Sequence, residues 1–369
     1  MQRSRLFAWI PFCIVVISNS ALGQLAFPLR AAFYYPWYPA TWTVNNSHVF
    51  YQPDLGYYSS DDQAVVDRHI QALEYAKIDV AIVSWWGINQ QSETKRIPML
   101  MNRTTAAGSD LKWAFYYEKE GFGNPSVATL QADLAYVKQN YTGNPTYAHI
   151  NGKPVVFVYN ADDNTCEVAD RWVQAANGEW YVGLKVVGNF QNCAHQPSTW
   201  HQYGPDAPEQ RHAGNEFVIA PGFWRADAAT PLLARDPARF AQNVRNMVKS
   251  GEKWQLITTF NEWGEGTAVE GSKDWASASG FGLYLDALHN DGNTAIADPR
   301  SFPAHRPAAA QADVYDLKGK RLATVRSGTV KGLRAEIEKG GFTRGIYFIK
   351  PGIGKNAGWK APEKVVELR

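Results

Sequence analysis

A chain of 369 residues has room for one large domain with a small appendage, or for two or three medium ones. A hydrophobic fraction of 45% with 20% charged residues excludes disordered and collagen-like classes, and a formal net charge of +2 gives no electrostatic case for nucleic acid. The 14 Trp and 18 Tyr often sit beside Gly, Pro, Asn or Glu rather than inside apolar runs. Sugar rings present C–H faces that stack on such side chains, so the composition leans towards carbohydrate, with core packing as the competing use of any single Trp.

The first 23 residues read as a secretory signal: Arg3 and Arg5, an apolar run over 6–17, then small residues to Gly23. That run is short for a membrane span, though a retained anchor is the alternative. Residues 24–300 are expected to form one domain. Within them, short apolar, aromatic or β-branched runs over 31–38, 79–86, 112–118, 154–160, 184–190, 198–203, 217–224 and 254–261 alternate with helix-like stretches. Ser60-Asp61-Asp62-Gln63 reads as a capping box before the stripe Val66, Ile70, Leu73. A second helix opens at Asn124-Pro125 with Leu130, Leu134 and Val137 on one face, and a third carries Phe240, Val244, Met247 and Val248 and stops at Gly251. Eight strand-helix alternations predict an α/β fold, a (β/α)8 TIM-type barrel. An open doubly wound sheet is the alternative, but neither Gly-x-Gly-x-x-Gly nor a Walker loop is present to serve it.

Residues 301–312 read as a Pro- and Ala-rich linker, and 313–369 as a small all-β C-terminal module of hairpins. Cys13 falls in the signal; Cys166 and Cys193 remain as an even pair, either bridged or as two buried thiols. The eight His never take a metal-ligand spacing, so no metal and no cofactor is expected.

Nearly every run ends in polar or aromatic residues, and barrel active sites gather at the carboxyl ends of strands. After the last run comes Phe260-Asn261-Glu262-Trp263-Gly264-Glu265-Gly266-Thr267. Glycosidic cleavage needs two carboxyl groups, and Glu262 and Glu265 supply a pair. If the chain turns helically there, residues three apart face one side, with Cβ atoms about 5–6 Å apart, and each carboxyl raises the other's pKa. Gly264 and Gly266 permit the tight backbone, Trp263 is expected to wall the site, and Asn261 to bind a sugar hydroxyl or steady a carboxylate. The competing reading is a solvated loop that carries two acids by chance.

The segment from Thr258 to Glu270 resembles the signature of glycoside hydrolase family 99, the endo-α-mannosidase and endo-α-mannanase family. Phe33-Tyr34-Tyr35-Pro36-Trp37-Tyr38, Ser84-Trp85-Trp86-Gly87, Phe115-Tyr116-Tyr117-Glu118 and Ala220-Pro221-Gly222 fall where that family has similar segments, so the resemblance spans residues 31–290. It implies a retaining, endo-acting α-glycoside hydrolase in which the sugar's own 2-hydroxyl displaces the leaving group. Glu262 would be the base at that hydroxyl, and Glu265 the general acid and then the base for water. Tyr35, Trp37, Trp86, Tyr117, Glu118, Tyr159, Trp224, Asn261 and Trp263 would contribute to the substrate site. The chain departs from the pattern at Gly264, where better-known members carry His, and at Ala268-Val269-Glu270-Gly271, where they carry Gln-Ile-Glu-Pro; these bear on the substrate more than on the fold. A different α-glycan, a glycosyltransferase-like barrel of polysaccharide metabolism and a non-catalytic glycan-binding protein are the competing functions. The C-terminal module resembles type IX secretion sorting domains through Asp313 to Leu322 and Gly345 to Lys350, which implies secretion machinery as a partner and a secreted or cell-surface location. A carbohydrate-binding module is its alternative.

Overall fold

The computed structural model describes residues 25–90, 92–159, 165–293, 310–315, 321–327, 345–351 and 364–368. The signal, residue 160 of the fourth run and residues 301–309 of the linker lie outside them, whereas Ala310, Gln311 and Ala312, placed in the linker, belong to a strand.

Eight parallel strands form the first unit: β1 (Leu29–Tyr34), β2 (Val80–Trp85), β3 (Lys112–Tyr117), β4 (Lys153–Val158), β5 (Tyr181–Lys185), β6 (Thr199–His201), β7 (Glu216–Ile219) and β8 (Trp254–Ile257). Hydrogen-bonded neighbours run 7-8-1-2-3-4-5-6, so β8 pairs with β1 and the sheet curls into the expected barrel. The last gap, between β6 and β7, is crossed by side chains rather than by a ladder. Asn215 Oδ1 accepts from Trp200 N at 3.0 Å, and Glu216 Oε1 accepts from Gln202 N at 3.0 Å. An extra antiparallel strand, Glu209–His212, pairs with β7.

The period-two alternation of strands sorts their side chains into two cores. Leu29, Ala31, Phe33, Val80, Ile82, Ala114, Tyr116, Val155, Phe157, Val218 and Leu256 fill the barrel. Tyr34, Val83, Trp85, Trp113, Phe115, Tyr117, Val158 and Ile257 pack between barrel and helices. Much of the aromatic excess is therefore core: Trp85, Trp113, Trp172, Trp254 and Trp263 are fully buried.

Among the described residues six α-helices cover the barrel: α1 (Gln63–Tyr75), α2 (Ile97–Ala106), α3 (Val127–Asn140), α4 (Glu167–Ala176), α5 (Pro237–Ser250) and α6 (Leu283–His289). Strands β5 and β6 are followed by no α-helix, which is why the alternation is faintest there; the fifth run, placed at 184–190, is in fact β5 at Tyr181–Lys185. The cap of α1 is Asp62, whose carboxylate accepts from Ala64 N, rather than Ser60. Ser126 caps α3 one residue past Pro125, and Gly251 ends α5 in the left-handed region at φ 65°. Cys166 and Cys193 form a disulfide, tying the start of α4 to the turn after β5. No helix among the described residues is long and apolar enough to cross a membrane.

In the second unit, Ala310–Tyr315, Arg321–Ser327, Gly345–Pro351 and Lys364–Leu368 form a four-stranded antiparallel sheet, with the first strand between the second and third.

Candidate active site

The carboxyl ends of the strands surround a cavity of about 290 Å³, lined by residues that include Tyr35, Trp37, Trp86, Glu118, Tyr159, Glu262 and Glu265. Strand alternation places them: Glu118 follows the inward set Ala114 and Tyr116, and Tyr159 follows Val155 and Phe157. Trp37 and Trp86 meet at 6.4 Å between ring centroids, and Phe122 extends this aromatic wall 5.0 Å beyond Trp86.

Glu262 and Glu265 sit on the loop after β8, which is a tight turn rather than helical. Gly266 N donates to Trp263 O at 3.1 Å and Thr267 N returns to Glu262 O at 3.1 Å. Gly266 has φ 65°, and a Cβ there would lie 2.7 Å from Trp224 O. At Gly264 a Cβ would crowd Glu262 Oε1 at 2.9 Å. The loop is pinned from outside by Arg235, which donates to Gly266 O at 2.8 Å and Ala268 O at 2.6 Å while packing on Trp275.

The two acids have different partners. Glu262 Oε1 accepts from Gly264 N at 3.0 Å, whereas buried Oε2 accepts from no protein donor. Glu265 Oε2 accepts from Tyr203 Oη at 2.9 Å. Burial and the charge of Glu265 push the Glu262 carboxyl well above the usual range. Burial also raises Glu265, but the Tyr203 hydroxyl and the Arg225 guanidinium oppose that rise. Burial, joined by repulsion from Glu265, lifts Glu118 to about 8. Three carboxyl groups thus open on one cavity, and burial raises the pKa of each.

Four expected site residues stand elsewhere. Tyr117 points outward and donates to Asp133 Oδ2 at 2.7 Å; its neighbour Tyr116 faces the cavity. Asn261, fully buried, clasps the Tyr35 backbone, accepting from N at 2.7 Å and donating to O at 2.9 Å. It pins the end of β1 to the loop, and its side chain is hydrogen-bonded to Tyr35 rather than to either acid. Trp263 turns away from the cavity and stacks on Trp275 at 5.8 Å, so it does not wall the site. Trp224 stacks on Phe50 at 4.0 Å and anchors the loop through its backbone N–H, which donates to Glu265 O at 2.8 Å. Tyr203 and Arg225 line the cavity without having been expected there. Tyr203 ends the run at 198–203, so its strand-end position was a usable signal; nothing in the sequence singles out Arg225. Among the described residues, no group of three His, Cys, Asp or Glu is arranged to hold a metal ion.

Residues 35–190, which supply Tyr35, Trp37, Trp86, Glu118 and Tyr159, match the family model described as glycosyl hydrolase family 99. Over those residues the chain is similar to glycosyl hydrolase family 99. That similarity agrees with the glycoside hydrolase class expected from the sequence. A glycoprotein endo-α-1,2-mannosidase from Xenopus laevis is 28% identical over 268 residues, covering 60% of this chain and 58% of the relative. The Rattus norvegicus protein of the same name is 21% identical over 290 residues, covering 64% and 59%. The match thus spans less than two thirds of the length of these relatives. Among solved structures, the family 99 endo-α-mannosidase from Bacteroides thetaiotaomicron in complex with bis-tris-propane superposes with a TM-score of 0.54 at 19% identity. It covers 72% of this chain and 95% of its own, a likeness of fold.

Proposed function

We propose that the chain is a secreted or cell-surface, retaining, endo-acting α-glycoside hydrolase that cleaves α-mannan or mannose-containing glycans through its Glu262 and Glu265 pair. The observation that carries this reading is the convergence of the two acids on one aromatic-walled cavity, one with an unpartnered buried oxygen and the other held by a tyrosine hydroxyl.

Glu262 Oε2, free of protein donors, receives the sugar's 2-hydroxyl. A hydroxyl donating to it stabilises the carboxylate and lowers its pKa, so binding moves the pair's shared proton towards Glu265. Glu262 then takes the 2-hydroxyl proton while that oxygen attacks the anomeric carbon. The glycosidic oxygen takes the Glu265 proton and leaves, giving a 1,2-anhydro sugar. Glu265, now a carboxylate, deprotonates a water that opens the anhydro ring with the original anomeric configuration, and Glu262 returns its proton to the 2-oxygen. Trp37, Trp86 and Phe122 offer faces for sugar rings, and Glu118 and Tyr159 bind hydroxyls.

Names of the relatives and the resemblance of the loop support mannose as the sugar. The disulfide supports an oxidising destination, and the C-terminal module is proposed as an address read by secretion machinery. Incubating the purified full chain with a panel of α-mannans and α-glucans and measuring new reducing ends tests the reading. Cleavage of an α-mannan is expected; binding without new ends would make the protein a glycan-binding module instead.

A further inference from the structure

Behind the cavity lies a buried polar network that the reaction above leaves unused. Glu270 is only 3% exposed. Its Oε2 accepts from Tyr58 Oη at 2.7 Å and from Trp263 Nε1 at 2.9 Å, and its Oε1 meets His69 Nε2 at 3.0 Å. The other imidazole nitrogen, Nδ1, lies 2.9 Å from Tyr34 Oη. Contacts on both oxygens fix the carboxylate plane, and the Glu270 backbone is also tied, N–H to Phe260 O at 2.9 Å and O to Trp275 Nε1 at 3.0 Å.

Trp263 links this network to the acids, since it lies between them in the chain. Its indole reaches back to Glu270, while its backbone N–H donates to Tyr38 Oη at 3.1 Å. Tyr38 Oη in turn donates to Asn261 O at 2.6 Å, and its ring meets the edge of Tyr58 at 5.2 Å. We propose that Glu270 is a positioning residue which, through the Trp263 indole, fixes the turn that carries Glu262 and Glu265 and so sets their spacing. The inference rests on the reading that these two acids react. A buried indole N–H needs an acceptor, and a carboxylate held by other donors gives a short, charge-assisted and rigid one. With a rigid indole and the stack on Trp275, displacement of the Glu270 carboxylate is passed to the turn rather than absorbed. Misplacement of a reacting group by about 1 Å costs on the order of a hundredfold in rate.

The test uses full-chain Glu270→Gln, Trp263→Phe and the double variant. Glutamine keeps the shape with one acceptor, and phenylalanine deletes the indole N–H while keeping a ring. Two properties are measured: kcat and KM on the α-mannan cleaved by the wild type, and titration of the Glu262 and Glu265 carboxyl carbons by NMR. Each single change is expected to lower kcat by roughly ten- to a hundredfold with KM within about twofold, and to move both titrations. Non-additivity is the expected signature, with the double variant no worse than the poorer single. Unchanged kcat in folded Glu270→Gln, additive losses, or titrations that stay put would overturn the proposal. Should Glu270→Gln not fold, Trp263→Phe alone decides by the same criteria. A wild type that cleaves nothing refutes the hydrolase reading, and the NMR titrations still decide the positioning role.

Discussion

Tyr203 donates its hydroxyl to Glu265 Oε2 at 2.9 Å, across 62 residues of sequence, and so gives one acid of the pair a partner that Glu262 lacks. A hydrogen bond to a carboxylate contributes about 1.5–3 kcal/mol and favours the charged form. In Tyr203→Phe the Glu265 pKa therefore rises further. The pair keeps its last proton to higher pH, so the alkaline limb of kcat/KM moves upward. A pH-rate profile of wild type and variant checks this; a downward shift would mean that Tyr203 does not act through the Glu265 carboxylate.

Glu118 makes stability depend on pH. Its folded pKa of about 8 lies above the ordinary 4.5, so the folded state binds the proton more tightly than the unfolded chain does. Its contribution is fully present below about pH 4.5 and is lost as pH rises to about 8, with an upper bound of roughly 5 kcal/mol. Denaturant unfolding at pH 5 and pH 8 is expected to show the wild type weaker at the higher pH. Glu118→Gln, which cannot ionise, should lose less between the two; an equal loss would place the titration elsewhere.

Two aromatic substitutions separate the cavity from the scaffold. Trp86 lines the cavity, so Trp86→Ala is expected to raise KM by roughly tenfold, the scale of losing about 1.4 kcal/mol of stacking, with little change in unfolding midpoint. Tyr117 faces α3, so Tyr117→Phe is expected to cost about 1–2 kcal/mol of stability through the lost bond to Asp133 and to leave KM alone. Steady-state kinetics paired with denaturant melts would reveal the reverse pattern if these sides were exchanged.

Much of this architecture was legible in the chain, because parallel strands buried on both faces read as apolar runs whatever surrounds them. Where no helix follows a strand the reading slipped, as at β5. Motif position anticipated that the two acids, Tyr35, Trp37, Trp86, Glu118 and Tyr159 would line one cavity, since strand ends are adjacent in a barrel. It could not say which of two neighbouring tyrosines faces inward, and one step along β3 exchanges Tyr116 for Tyr117. Nor could it tell that Asn261 and Trp263, inside the signature, turn into the scaffold, because their partners Tyr35, Trp275 and Glu270 are brought there by folding. The Arg225 charge acts on Glu265 because the loop after β7 folds back, as its neighbours Trp224 and Ala226 donate their backbone N–H groups to Glu265 O and Gly264 O, both at 2.8 Å.

The division of labour between the acids is tested most directly by comparing Glu262→Gln and Glu265→Gln on two substrates, an ordinary α-mannosidic linkage and the matching glycosyl fluoride. Fluoride leaves without protonation. Glu265→Gln should therefore slow the ordinary linkage by roughly a hundredfold or more and the fluoride far less, whereas Glu262→Gln, lacking the base at the 2-hydroxyl, should slow both together. Equal losses on both substrates in Glu265→Gln, or a covalent glycosyl ester trapped on Glu262, would contradict the account and return the site to double displacement through a carboxylate nucleophile.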